Sequence, residues 1–283
     1  VKGTAVISAS PPPLRPQTRG LQTHGLTASY DGREVLRGVD ISFPPGAVTV
    51  VLGANASGKS TLLRALARLL PPAGGAVTLD GDDLRTLPAK TLARRIGLLP
   101  QSSAAPPGIT VGELVARGRY PHQRLLQQWS PTDARAVAAA VAATGVDDLI
   151  DRPLDELSGG QRQRAWIALL LAQETPLMLL DEPTTYLDIA HQLEVLELIR
   201  DLNRAQGRTI VMVLHDLDQA CRYADELIVL KDGAVVAAGE PAAVMTADLI
   251  AHAFGIEADV QPHPRTGHPM VLPIASLAGR AAS

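Results

Sequence analysis

Apolar residues along this chain gather in short runs separated by glycine, proline and charged turns. Residues 21–29 and 34–43 mix apolar and polar positions and read as strands of an antiparallel layer. Residues 47–52 differ, because Val48-Thr49-Val50-Val51-Leu52 is almost unbroken in its apolar character. Such a run is expected of a strand covered on both faces. Similar runs at 76–79, 96–99, 177–180, 209–214 and 226–230 predict further strands. One helix is expected from Lys59 to about residue 70, stopped by Pro71 and Pro72. From 102 to 172 strand signals disappear, and helices are expected at 111–118, 131–144 and after Gly159.

Alternation of short buried strands with helices predicts an α/β fold built on a mostly parallel sheet. An antiparallel β layer is added to it, and a helical subdomain at about 102–172 is inserted into a domain spanning 20–283. Residues 1–19 hold Pro11, Pro12, Pro13 and Pro16 and read as a disordered Pro-rich segment.

Composition narrows the picture. The chain has 283 residues, 46% of them hydrophobic, enough to bury a substantial core. Aromatics are only 3%, so aliphatic side chains must fill it. A net charge of -3 without a long basic run gives no sign of a nucleic-acid partner. The most apolar segment, 166–180, is interrupted by Gln173, Glu174 and Pro176 and does not read as a membrane span. The first residues lack the apolar stretch of a secretory signal. Cys221 is the single cysteine, which excludes an intramolecular disulfide, and its apolar neighbours suggest a small buried core residue. A cytosolic protein, free to dock on a membrane partner, is expected.

Gly53-Ala54-Asn55-Ala56-Ser57-Gly58-Lys59-Ser60-Thr61 lies between a buried strand and a helix. Its first eight residues match G-x-x-x-x-G-K-[ST], a phosphate-binding loop. Gly53 and Gly58 allow a sharp turn and close approach of the backbone. Successive amides then point inward at a helix N-terminus, where the dipole adds positive potential. Lys59 is expected on the β- and γ-phosphates of ATP, and Ser60 on Mg²⁺. Farther along, the apolar run 177–180 ends in Asp181 and Glu182. A buried strand delivers both acids to the sheet edge where open α/β folds bind ligands. Asp181 would serve Mg²⁺ and Glu182 the attacking water, its pKa raised toward a useful range by removal from solvent. Leu157-Ser158-Gly159-Gly160-Gln161 marks another helix start, with Ser158 as its cap and two glycines leaving amides open. A second phosphate-binding helix start in one ATPase suggests a two-chain arrangement.

Taken in order, these motifs resemble those of ABC transporter ATP-binding subunits, over about residues 21–274. The resemblance implies a P-loop NTPase core of the RecA type. It makes Ser158 to Gln161 the signature motif, which contacts the γ-phosphate held by a partner copy. It places Tyr30 on the adenine ring, Gln101 at Mg²⁺ and the attacking water, Asp188 in the D-loop, and His215 on the γ-phosphate. Two departures stand out: Ala56 where glycine is usual, and Tyr186 where a small residue is common. Residues 117–122 and 184–192 are similar to those of ferric siderophore importers, as is the stretch 262–274. Haem and cobalamin importers share much of this pattern. The resemblance implies a homodimer beneath two membrane permease subunits, at the cytoplasmic face, fed by a substrate-binding protein. Exposed arginine and histidine residues beside Tyr120 and Trp129 make 101–128 the expected docking surface. Retention of Glu182 and His215 argues against a non-catalytic regulator. Mild acidity and a single cassette argue against a soluble ABC ATPase acting on nucleic acid. His252, His263 and His268 fit no usual metal-ligand spacing.

Overall fold

The structure, a computed structural model, describes residues 19–102, 104–123 and 129–277. The Pro-rich segment expected to be disordered lies outside the described residues except for Arg19. The unbroken apolar runs become one six-stranded sheet. Its strands are β3 (Val48–Leu52), β6 (Ile96–Leu99), β7 (Leu177–Asp181), β8 (Thr209–Val213), β9 (Glu226–Lys231) and β10 (Ala234–Gly239). Their order is β10-β9-β3-β8-β7-β6, and all pairs are parallel except β9 with β10. Successive side chains of a strand point to opposite faces, so each central strand feeds two cores. Met178 and Leu180 of β7 face one core, Leu177 and Leu179 the other. That double burial explains why these strands read as continuous rather than alternating.

The mixed apolar and polar runs form β1 (Leu21–Tyr30) and β2 (Arg33–Phe43), joined by β4 (Gly74–Leu79) and β5 (Asp82–Asp83) in an antiparallel sheet ordered β2-β1-β4-β5. Helix α1 (Lys59–Leu66) packs Leu62, Leu63, Ala65 and Leu66 into the core shared by the two sheets. It ends a turn earlier than expected. Arg68 is left-handed at φ 57, and its guanidinium donates to the carbonyls of Leu84, at 2.8 Å, and Leu87. This tertiary anchor stops the helix before Pro71 and Pro72 do.

Short helix α2 (Ala89–Ala93) precedes β6. Helices α3 (Val111–Ala116), α4 (Pro131–Thr144) and α5 (Gly159–Ala172) pack on one another and on the far face of the six-stranded sheet. Each starts with a capping box: Thr110 with Glu113, Ser130 with Asp133, Ser158 with Gln161. After α3 a 3-10 turn covers Arg117–Arg119 instead of continued α-helix. The expectation of exposed basic residues here fails at Arg119, which is only 2% exposed. Its guanidinium donates to Asp133 at 2.8 Å, Glu174 at 2.6 Å and the carbonyl of Ala172 at 2.6 Å. A buried cation holds its place only when its donors are satisfied, and these three acceptors do so. Tyr120, 60% exposed, and Trp129, 48% exposed, do face outward.

Helices α6 (Ile189–Gln206) and α7 (Leu217–Tyr223) complete the layer, followed by α8 (Pro241–Val244), α9 (Ala247–Phe254) and a hairpin of β11 (Ile256–Pro262) and β12 (Pro269–Ser276). The pattern of apolar positions announced none of β5, β10, β11, β12, α2, α8 or α9. One missed signal was present. Asp232 and Gly233 both have positive φ, 50 and 81, at the β9–β10 turn, and Asp-Gly is the dipeptide such hairpins favour. Among the described residues no helix is long and apolar enough to cross a membrane.

Candidate active site

The turn after β3 wraps a cavity of about 620 Å³. Tyr30, Asn55, Ala56, Ser57, Gly58, Lys59, Ser60, Thr61, Glu182 and His215 line it. Gly53 closes the turn at φ 153, and a Cβ there would meet the carbonyl of Leu230 at 2.3 Å and Ser57 Oγ at 2.4 Å. No side chain caps α1 at Gly58, so its first-turn amides are left for a ligand. Ser57 Oγ is buried without a hydrogen-bond partner, a cost of about 1–3 kcal/mol that an anion in the cradle would offset. Lys59 Nζ donates to the carbonyls of Gly53, at 2.9 Å, and Ala54, at 3.1 Å. Burial holds the Lys59 ammonium below its ordinary pKa, opposed by Glu182 and Asp181. Ala56 sits at φ 63, so the position where glycine is usual does require the left-handed region.

Asp181 closes β7, and its Oδ1 accepts from Ser60 Oγ at 3.1 Å. Burial pushes its carboxyl up, helped by neighbouring Glu182 and opposed by Ser60, Arg64 and Lys59. Glu182 follows at φ 53. Both of its oxygens have partners: Oε1 meets His215 Nε2 at 2.5 Å, and Oε2 accepts from Gln101 Nε2 at 2.7 Å and Thr185 Oγ1 at 3.0 Å, which leaves acceptor capacity on Oε1. The expected rise of its pKa is overturned. Burial does push Glu182 up, but the hydrogen bonds from His215 and Thr185, the charge of His215 and the Gln101 amide together leave it below the ordinary carboxylate value. Gln101 and Asp181 do not line the main cavity; they border a smaller one of about 110 Å³ with Arg64 and Leu69.

Tyr30 ends β1, 38% exposed, with Arg64 Nη1 at 3.4 Å from its hydroxyl. Arg33, Glu34, Val35, Arg37 and Asp232 also border the main cavity and were missed. They come from β2 and the β9–β10 turn, where no motif marks them. Thr185 was likewise not singled out, though it holds Glu182.

Ser158, Gly159, Gly160, Gln161 and Asp188 lie apart from that cavity. Ser158 caps α5 by accepting from the Gln161 amide at 3.3 Å, and Gln161 Oε1 accepts from the Ser158 amide at 3.1 Å. Asp188 caps α6 through the His191 amide. The backbone hydrogen bond from His191, then that from its ring, holds the Asp188 carboxyl below its ordinary value. Tyr186 stands beside it at φ 66, 94% exposed. His263 and His268 stack at 4.8 Å with Thr266 Oγ1 bonded to both rings. Cys221 is buried, its thiol pushed up to about 12 by burial.

A family model described as ABC transporter matches residues 36–185. The chain is 50% identical over 263 residues to the ferric enterobactin transport ATP-binding protein FepC of Escherichia coli, covering 93% of this chain and 97% of that one. It is 45% identical over 252 residues to the iron(3+)-hydroxamate import ATP-binding protein FhuC of Bacillus subtilis, covering 89% and 94%. Among solved structures, the dimeric bacterial ABC transporter cassette MJ0796 superposes with a TM-score of 0.69 at 27% identity, covering 78% of this chain and 98% of that one.

Proposed function

This chain belongs to the ABC transporter family as an ATP-binding, ATP-hydrolysing subunit, and from that premise we propose that two copies of it drive ferric siderophore import through a pair of membrane permease subunits. One observation carries the catalytic part: Glu182, ringed by His215, Gln101 and Thr185, stands at the wall of the cavity that Lys59 and the α1 amides line. Similarity to FepC and FhuC over nearly the whole chain supports the cargo.

In this reading ATP lies with its phosphates in the α1 cradle and its base against Tyr30. A water attacks the γ-phosphorus. Its oxygen–phosphorus bond forms as the bond to the β–γ bridging oxygen breaks, and ADP leaves with that oxygen. Glu182, ionised by its partners, orients the water and accepts its proton; His215 and Gln101 hold Glu182 in place. Ser60, Asp181 and Gln101 offer hard oxygen ligands that suit Mg²⁺, and the buried, upward-shifted Asp181 is a carboxylate in want of a cation. When bound, Mg²⁺ supplies charge neutralisation at the β- and γ-phosphates. The signature turn is absent from the cavity wall of its own chain, which supports its facing the nucleotide of a second copy. Closure of the two copies around ATP reshapes a permease docked beside Tyr120 and Trp129 at the cytoplasmic face.

The test uses Glu182→Gln. The variant should bind ATP, lose about 10²–10⁴-fold in hydrolysis, and accumulate as a dimer with ATP. Hydrolysis near the wild-type rate would remove Glu182 from its role. The cargo is tested in vesicles holding the co-purifying permease and binding protein. ATP-driven uptake of haem or cobalamin, with none of ferric siderophores, would refute the assignment.

A further inference from the structure

The segment Ala190-His191-Gln192 opens α6, and the nucleotide cradle uses none of it. Its two polar side chains point in different directions. His191 turns toward the start of α5. Asp188 Oδ1 accepts from the His191 amide at 2.9 Å and engages its Nδ1 at 2.8 Å, which fixes the ring. The ring then covers Gly160: a Cβ there would meet His191 Cδ2 at 2.4 Å and Cγ at 2.9 Å. Gly160 therefore has a packing reason to lack a side chain, besides leaving its amide open.

Gln192 turns the other way. Its Nε2 donates to the Leu187 carbonyl at 2.9 Å, and its Oε1 accepts from Gln219 Nε2 at 2.7 Å. The Gln219 amide donates to Asp216 Oδ1 at 2.8 Å, directly after His215, which in turn meets Glu182. Gln192 and Gln219 also border a cavity of about 140 Å³ with Glu182, Thr185 and His215. Side-chain contacts, joined by two pairs of chain neighbours (His191 with Gln192, and His215 with Asp216), thus lead from Gly160 through the first turn of α6 to the hydrolytic carboxylate.

We propose that His191 and Gln192 are positioning residues that couple the seating of the signature turn to the placement of the Glu182–His215 pair in the same chain. The inference rests on the reading that the signature turn receives the nucleotide of a second copy. A chain would then set its own carboxylate for hydrolysis only once its signature turn is filled. Both sites touch one element, the first turn of α6, and coupling requires that the filling of one site and the placement of the other shift that turn together.

The experiment uses the full chain with His191→Ala, Gln192→Ala, Gln192→Glu and the double alanine variant. Each is read for kcat and KM with ATP, and again in a Glu182→Gln background for ATP-driven dimerisation by light scattering. Gln192→Ala should lower kcat about 5-fold or more with little change in KM or in dimerisation. Gln192→Glu, which keeps the acceptor for Gln219 but loses the donor to the Leu187 carbonyl, should recover part of that loss. His191→Ala should lower both kcat and dimerisation. The double variant should be no slower than the slower single one, because both cut the same path. A kcat within about twofold of wild type for Gln192→Ala, or losses that multiply in the double variant, would overturn the proposal. If Glu182→Gln by itself never dimerises with ATP, the two-copy reading fails and this inference falls with it. If it dimerises while Gln192→Ala keeps full kcat, only this inference fails.

Discussion

Replacing Ala56 by glycine measures the strain stored in the phosphate cradle. Ala56 stands at φ 63 with its methyl group exposed to solvent. For an L-residue that conformation costs about 1–2 kcal/mol. Glycine removes the cost but gives the unfolded chain extra freedom, about 0.5–1 kcal/mol in the opposite direction. No buried methyl is lost, so no cavity adds to the sum. The balance favours the variant by about 0–1.5 kcal/mol, and the melting temperature should rise by up to about 6 °C. Affinity for ATP should stay within about twofold. The Ser57 amide already holds the loop through the carbonyl of Ala54, so the same strain at Ala56 is expected with and without ATP. Calorimetry and an equilibrium titration with a fluorescent ATP analogue read both quantities. A lower melting temperature would refute the strain. A gain in affinity of about fivefold or more would show that the free loop relaxes into another shape. Ala56→Val supplies the opposite sign, since a β-branched residue is penalised further at positive φ.

Burial raises the Glu182 carboxyl, but His215, Thr185 and Gln101 hold it below its ordinary value, so it stays ionised down past about pH 4.3. Its protonation should give no acid limb in kcat above that pH in the wild type, and the limb should move upward in His215→Ala; a limb near neutrality that survives the substitution would contradict this. Arg119→Met leaves Asp133 buried without its cation and should cost about 3 kcal/mol, seen as a lower denaturation midpoint. The Ser130 hydroxyl is the main cause that holds the Asp133 carboxyl below its ordinary value, with Arg119 adding to it. Its contribution is therefore complete above about pH 3.9 and lost as pH falls through the lower folded value, so an acid titration of Asp133→Asn should show a shallower decline in that range. Cys221, buried with its thiol pushed up to about 12, should resist maleimide at pH 7.5 until the chain unfolds; labelling at the rate of a free thiol under native conditions would show that the site opens.

Features that depend on a few neighbouring residues were legible in the sequence. Ser158 marked the start of α5, and turn residues at fixed spacing marked the cradle from Gly53 to Ser60, whereas the capping boxes of α3 and α4 went unread. Strands buried on both faces announced themselves through unbroken apolar runs, because both of their faces must leave water. Arg119 was read as exposed because arginine usually is. Only the distant Asp133, Glu174 and Ala172 carbonyl, brought together by packing, make its burial tolerable.

By itself the sequence determined that the chain builds an α/β fold of the P-loop ATPase kind, and it proposed a phosphate cradle, an acid pair and a second helix start for a phosphate. Those properties follow from local backbone chemistry and from the period of apolar positions. The tertiary structure decided the rest. It closed His215, Gln101 and Thr185 around Glu182 and so reversed the expected direction of its pKa, because the balance between burial and hydrogen bonding depends on partners up to 81 residues away. It set the signature turn away from the cradle of its own chain and laid His191 over Gly160. Contacts between distant segments are fixed by packing, and no local pattern encodes them.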